Sequence, residues 1–151
     1  MIRIYSRPKL KNLSVGSRIA FVRHLRRMTR EELALKIGLS DRNAKRIMSR
    51  YERSLKTPKP DKLRKIAEVL EINVRMIWPY DFNDPSDLFY LMLWIEELCP
   101  DIKLKKPHYE LSNETQRFLA EHMGEWRKMR RRYLKNEIRY EEYWEWKFNL
   151  I

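Results

Sequence analysis

The segment from Arg42 to Arg50 has residue types and spacing suited to recognising DNA bases. Arg and Lys can donate hydrogen bonds to O6 and N7 of guanine, and Asn can pair with adenine through two hydrogen bonds. Apolar residues recur through the segment at i, i+3, i+4 and i+7: Ala44, Ile47, Met48 and Tyr51. This spacing predicts a helix with one buried stripe. The residues outside the stripe are Arg42, Asn43, Lys45, Arg46, Ser49 and Arg50, and we expect them to face the major groove of double-stranded DNA.

A second, shorter helix is predicted just before this segment. Thr29 and Glu32 have the spacing of a capping box, a short apolar pattern follows, and Gly38 then interrupts it. Two helices joined by a tight turn predict a helix-turn-helix. The start of the second helix has two alternatives. If the helix begins near Asn43, the reading positions shift to Lys45, Arg46 and Ser49. If Ser40 is instead its N-cap, the first groove-facing side chains are Asp41, Arg42, Asn43, Lys45 and Arg46.

Residues 15–77 resemble the xenobiotic-response-element class of the phage repressor/Cro family. The resemblance is carried by Gly16, Arg18-Ile19, T-x-E-E-L-A at 29–34, G-L-S at 38–40, Y-E-R at 51–53, T-P at 57–58 and L-x-x-I-A-x-x-L at 63–70. It implies a five-helix DNA-binding domain over residues 15–78. This chain departs from the family in two places. The stretch from Gly38 to Tyr51 is about one helical turn longer than the commonest pattern, and Ser54 stands where glycine is usual.

Contacts to DNA phosphates are expected around the reading helix. The resemblance places the start of the helix after Thr29 near the phosphate backbone, and the loop after the reading helix is basic. The expected phosphate contacts are Arg18, Thr29, Arg30, Arg53, Lys56 and Lys59. A first helix is expected from Gly16 to Arg27, with Arg23, Arg26 and Arg27 projecting from it.

The charge and the aromatic residues divide the 151-residue chain into two parts. Residues 1–62 contain 18 Lys/Arg and 5 Asp/Glu, a net charge of +13, whereas residues 63–151 contain 15 and 16, a net charge of −1. After Ile77 lie 15 of the 18 aromatic residues. We therefore expect an all-α protein with a basic N-terminal arm (1–14), a DNA-binding domain (15–78), a packed linker (79–85) and a small, mainly helical, aromatic-rich module (86–151) for dimerisation or partner binding.

The C-terminal module is predicted from three segments. Residues 86–98 are apolar nearly all round, with Ser86 and Asp87 as caps, so we expect this helix to be buried on every side, either bridging the two halves or forming a dimer interface. Residues 102–111 suit a small hairpin, and a long helix over 113–135 with a final one near 140–148 follows. The aromatic residues between Trp126 and Trp146 favour a small core over an effector pocket. This tail resembles C-terminal extensions of regulators from bacterial mobile elements.

No pattern in the sequence indicates catalysis, a cofactor or a metal. His24, His108 and His122 lack metal-ligand spacing, and the three glycines form no phosphate-binding loop. The carboxylate pairs Glu96-Glu97 and Glu141-Glu142 are adjacent in sequence and are expected to be solvated. Cys99 is the only cysteine, so no intrachain disulfide forms, and it is expected to be a small buried hydrophobe.

The leading hypothesis is a cytoplasmic, sequence-specific transcriptional regulator, most simply a repressor, that binds a symmetric DNA operator as a homodimer. No apolar run is long enough to span a membrane. The arm at 1–14 has three alternatives: a minor-groove contact, a frayed terminus or, because Ile2 and Ile4 alternate as in a short strand, a segment packed on the body. Two alternatives remain: an antitoxin-like or inhibitor-like protein whose C-terminal module binds a protein target, and a nucleic-acid binder without sequence preference.

Overall fold

The computed structural model describes residues 7–102 and 113–150, and every regular element in these ranges is helical. The helices are α1 (Val15–Leu25), α2 (Arg30–Lys36), α3 (Ala44–Glu52), α4 (Pro60–Leu70), a 3-10 turn (Val74–Met76), α5 (Pro85–Leu98), α6 (Asn113–Leu134) and α7 (Tyr140–Phe148). The all-helical expectation is confirmed for the described ranges. The hairpin expected at 102–111 lies almost wholly outside them, as do residues 1–6 of the arm. The chain forms two compact units, Met1–Pro79 and Tyr80–Ile151.

Local signals in the sequence account for where the helices of the first unit begin. Ser14 caps α1 by accepting from Ser17 N, and Thr29 and Glu32 form the predicted capping box of α2. Pro60 occupies the first turn of α4, where its missing N–H would have no helical partner. The apolar faces of these helices then meet in one core, which includes Ile19, Val22, Leu33, Ile37, Met48, Leu63, Ile66, Leu70, Met76 and Ile77.

Glycine at position 16 allows α1 to approach the end of α3. A Cβ at Gly16 would overlap the backbone carbonyl oxygens of Tyr51 and Glu52, and backbone atoms cannot move aside as a flexible side chain can. Ser54, just beyond α3, has a φ of 60°, the left-handed conformation that favours glycine. Serine therefore adopts the left-handed backbone conformation at this position.

The core of the second unit is aromatic. Trp94, Trp126, Trp144, Phe89 and Phe148 are fully buried, and His122 stacks on Phe118 at 4.0 Å between ring centroids. Among the aromatic residues from Trp126 to Trp146, the predicted small core is confirmed for the four that are buried, which are Trp126, Tyr140, Tyr143 and Trp144. Tyr133 and Trp146 remain half-buried.

Helix α5 differs from its prediction in two respects. Asp84, rather than Ser86 or Asp87, caps it, and its side chain accepts from Ser86 N at 2.9 Å. Within the single chain this helix is not buried on every side, because Leu88 and Leu98 remain 40% and 41% exposed, and the expected dimer interface over the helix stays a prediction. Their separation places them on one face of the helix, close to heptad spacing.

The prediction that Glu96 is solvated is also wrong. Its carboxylate is buried and accepts from Trp126 Nε1 at 2.7 Å and from the Tyr143 hydroxyl at 3.0 Å. Lys147 Nζ lies 3.4 Å from the same carboxylate and 4.3 Å from the ring centroid of Trp144. Burial lowers the pKa of Lys147, because it disfavours the charged ammonium. Glu96 therefore joins α5, α6 and α7 through one buried polar cluster.

Cys99 also differs from its expectation, since it is exposed where α5 ends. Glu141 and Glu142 are exposed, as predicted. None of the described helices combines the length and apolar character needed to cross a membrane.

Candidate nucleic-acid interface

The start of α3 decides between the two predicted registers. The helix begins at Ala44, and Asn43 N donates to Ser40 O at 3.0 Å, closing a turn over the preceding residues. Asn43 occupies the N-cap position but makes no capping hydrogen bond with its side chain. The alternative with Ser40 as the N-cap is therefore wrong, and the helix starts in the later register.

The outward face of α3 is cationic. Ala44, Met48 and Tyr51 are buried, and Ile47 is half-buried beside them. On the opposite side the predicted reading residues Lys45, Arg46 and Arg50 are exposed, and Ser49 is half-buried. None of the three exposed cations has a described acidic partner. This face has the donors that guanine O6 and N7 accept.

Arg42 and Asn43 lie on the turn before α3 rather than on the helix itself. Arg42 is exposed, whereas Asn43 is half-buried and its Oδ1 accepts from Arg46 Nη2 at 3.4 Å. The bond is long and sits at the surface, so a base that offers a better acceptor can compete for Arg46. The turn therefore adds two polar side chains next to the helix face.

Five of the six residues predicted to contact phosphates are accessible. Arg53, Lys56 and Lys59 are exposed on the segment that follows α3. Thr29 is exposed, and its Oγ1 accepts from Glu32 N at 3.1 Å. The side chain of Arg30 is 41% exposed.

Arg18 is the sixth, and it is buried rather than accessible to a phosphate. It is 2% exposed, and its guanidinium donates to the carbonyl oxygens of Leu13, Met76 and Trp78 at 3.1, 2.8 and 2.9 Å. A guanidinium has donors in a fixed planar fork, which suits joining several carbonyls. Arg18 therefore holds the start of α1 to the end of the first unit.

A buried ion-pair cluster, not predicted from the sequence, fixes α3 to the rest of the unit. Arg23, expected to project from α1, is buried and donates to Glu52 through Nε to Oε1 at 2.5 Å and Nη2 to Oε2 at 3.0 Å. Arg30, the first residue of α2, donates through Nε to Glu52 Oε2 at 2.7 Å. One carboxylate at the end of α3 thus contacts both preceding helices.

The sequence did carry a signal for this cluster. Arg23 lies four residues after Ile19, and Glu52 lies eight residues after Ala44, so both charges fall on otherwise apolar stripes. Charges at such positions are rarely fully buried unless they are paired.

The electrostatics of the first unit favour a polyanionic ligand. Residues 1–79 contain 21 Lys/Arg and 7 Asp/Glu, a net charge of +14, against −2 for residues 80–151. Beside the ion-pair cluster, burial and then the charge of Arg23 lower the pKa of His24. His24 is therefore mostly neutral at neutral pH, and the accessible positive charge of the surface comes from Lys and Arg.

No three His, Cys, Asp or Glu side chains in the described ranges converge in a way that could hold a metal ion. Comparisons with models of protein families, with curated proteins and with solved structures give no match for this chain. The case for a function therefore rests on the geometry of α1 to α3.

Proposed function

We propose that this protein is a sequence-specific, double-stranded DNA-binding regulator of transcription that acts as a repressor, a binding protein rather than an enzyme. Its first unit would be a five-helix repressor-like domain of the kind that residues 15–77 resemble. One observation carries the proposal: α3 is anchored by a buried apolar edge and turns Lys45, Arg46 and Arg50 outward. A major-groove reading helix needs both properties, because it must be held rigidly while its polar side chains reach base edges.

The proposal assigns separate roles to the polar residues. Lys45, Arg46 and Arg50, with Ser49 beside them and Arg42 and Asn43 on the adjoining turn, would read bases. Thr29, Arg30, Arg53, Lys56 and Lys59 would contact phosphates, which position the protein without specifying sequence. Loss of a base-reading residue should change preference, whereas loss of a phosphate contact should weaken binding to every sequence.

A homodimer follows from the size of the recognition surface. One reading helix covers only half of a typical operator, and two related copies would bind half-sites about 34–36 Å apart, roughly one turn of the duplex. We therefore propose a symmetric operator.

Selection of bound duplexes from a random pool, followed by sequencing, tests the proposal. A consensus with two inverted half-sites about one duplex turn apart is expected. Recovery of unrelated sequences, with equal affinity for random duplexes at physiological salt, would instead support a binder without sequence preference.

A second candidate is an antitoxin-like or inhibitor-like protein whose second unit binds a protein target. The exposed leucines of α5, Leu88 and Leu98, would contact such a target if they do not form the homodimer contact. Isolation of the tagged protein with one heterologous protein in stoichiometric amount would support this candidate, and isolation of the homodimer alone would oppose it.

A further inference from the structure

Near its C-terminal end α6 has a group of four exposed cations, the last of which, Lys135, directly follows the final residue of the helix. Lys128, Arg131, Arg132 and Lys135 follow the spacing i, i+3, i+4 and i+7, so they share one side of the helix. All four are exposed, while Trp126 on the opposite side is fully buried. We call these four residues the α6 cationic face.

This face stands out against the charge of its own unit. Residues 80–151 have 12 Lys/Arg and 14 Asp/Glu, yet six of those cations and no acid lie between Arg127 and Lys135. Arg130 is the exception in orientation, because its Nη2 donates to Pro100 O at 2.9 Å and its Nε lies 3.5 Å from Glu96 Oε1. The positive charge of this unit is therefore concentrated near the end of α6, although the unit as a whole is slightly acidic.

Little in the described part of the chain neutralises the α6 cationic face. Arg132 lies 3.8 Å from Glu137, and both side chains are about half exposed, so this pair contributes little. No salt bridge to Lys128, Arg131 or Lys135 occurs within the described residues, and the exposed Glu125, three residues before Lys128, is the one acid at neighbouring spacing on that half of α6. Like charges at i, i+3 and i, i+4 repel each other and destabilise a helix.

The dipole of α6 explains only part of this arrangement. Cations stabilise a helix when they lie in its last turn, and Arg131 and Arg132 lie there. Lys128 lies before that turn, where the effect of the dipole has faded. A bound polyanion would offset the remaining repulsion among the four cations.

The spacing of the cations suits a phosphate backbone. Lys128 and Lys135 are seven residues apart, or about 10 Å along the helix axis. Double-stranded DNA presents one phosphate per strand about every 3.4 Å of its axis, so three or four phosphates of one strand fall within that length. Both units belong to one chain, so a duplex held by α3 would be at a high effective concentration for the second unit.

We propose that the α6 cationic face binds phosphates of the same duplex, outside the bases read by α3. This inference rests on the proposed function. It adds a DNA contact from a unit whose net charge does not suggest one. The contact would strengthen binding and increase its dependence on salt, but it would carry no sequence information.

The test compares K128Q/R131Q with a matched double variant, R117Q/R139Q, in the full chain. The control removes two exposed cations of the same unit: Arg117, about 16 Å before Lys128 along α6, and Arg139, beyond the end of α6. Each phosphate contact contributes about 0.9 to the slope of log affinity against log salt concentration. On the selected operator with flanking sequence, the slope should become shallower by about 1.8 for K128Q/R131Q and stay unchanged for R117Q/R139Q.

Further measurements distinguish a failure of this inference from a failure of the proposed function. K135Q alone should reduce the slope by about 0.9, and none of the variants should alter the selected consensus. If the wild-type protein prefers its consensus while K128Q/R131Q keeps the wild-type slope, the α6 contact is overturned and the proposed function stands. Loss of binding to phosphatidylserine vesicles with an unchanged DNA slope would also overturn it. A wild-type protein without a consensus would instead overturn the proposed function.

Discussion

Replacing Glu52 with Gln should destabilise the first unit and weaken the contacts that hold α3 to α1 and α2. Arg23 and Glu52 have side chains only 5% and 2% exposed, so the substitution leaves a buried guanidinium without its counter-charge. Breaking a buried pair by removing one partner costs about 3–5 kcal/mol. Arg23 retains its bond to Met28 O at 2.8 Å, and glutamine still offers an acceptor, so we expect the lower end, about 3 kcal/mol.

The partner Arg30 provides an internal comparison. Its side chain is 41% exposed, so water screens its pair with Glu52. Arg30→Gln should therefore cost less than about 1 kcal/mol. Glu68→Gln, at an exposed acid of α4, is the matched control and should lie within about 0.5 kcal/mol of the wild type.

Urea unfolding of the full chain, with hydrogen exchange to assign the transition to residues 7–79, measures these differences. E52Q should lower protection in α1, α2 and α3, and it should weaken binding to all DNA sequences alike because α3 is held less firmly. A loss below about 1 kcal/mol, or a loss equal to that of R30Q, would refute the assignment of a buried, stabilising pair.

Three further predictions concern packing, pH and assembly. Gly16→Ala should destabilise the first unit by about 1–3 kcal/mol, because the new methyl group overlaps backbone carbonyls of α3, and a wild-type urea midpoint would contradict the close approach. Burial raises the pKa of Glu97, although the Tyr140 hydroxyl donates a hydrogen bond to its carboxylate. The protonated carboxyl therefore favours folding below pH 4.5, and this contribution to the free energy of unfolding is lost as the pH rises through the pKa of the folded state. The free energy of unfolding of Glu97→Gln should therefore rise relative to that of the wild type between pH 4 and pH 8. A difference between the two urea midpoints that does not change with pH would contradict this prediction. L88E/L98E should convert the proposed homodimer to monomers in sedimentation velocity, whereas an unchanged sedimentation coefficient would place the dimer contact elsewhere.

The sequence predicts helices and their ends well where the signals are local. The capping box of Thr29 and Glu32 marks the start of α2 through bonds between residues three positions apart, and the structure contains it. The apolar periodicity of α3 likewise identifies its buried edge from adjacent turns.

Pairing between distant residues is where sequence reasoning fails. Arg23 and Glu52 are 29 positions apart, and Glu96 and Lys147 are farther still, so no local pattern indicates that their charges neutralise each other inside the fold. Arg23 and Glu52 each fall on an apolar stripe, which indicates burial but does not identify the partner. The sequence also leaves the start of α3 open, because Ser40 and Asn43 both suit an N-cap; in the structure Asn43 occupies that position and the helix begins at Ala44.

The specificity ratio of Arg46→Gln tests the central claim most directly. Affinities of the wild type, R46Q and Lys56→Gln for the selected operator and for a scrambled duplex should be measured at one salt concentration. R46Q should reduce the preference for the operator by about 1–3 kcal/mol per lost bidentate contact, roughly five- to 150-fold, whereas K56Q should weaken both duplexes equally. Equal effects of R46Q and K56Q on both duplexes would contradict the claim that α3 reads bases.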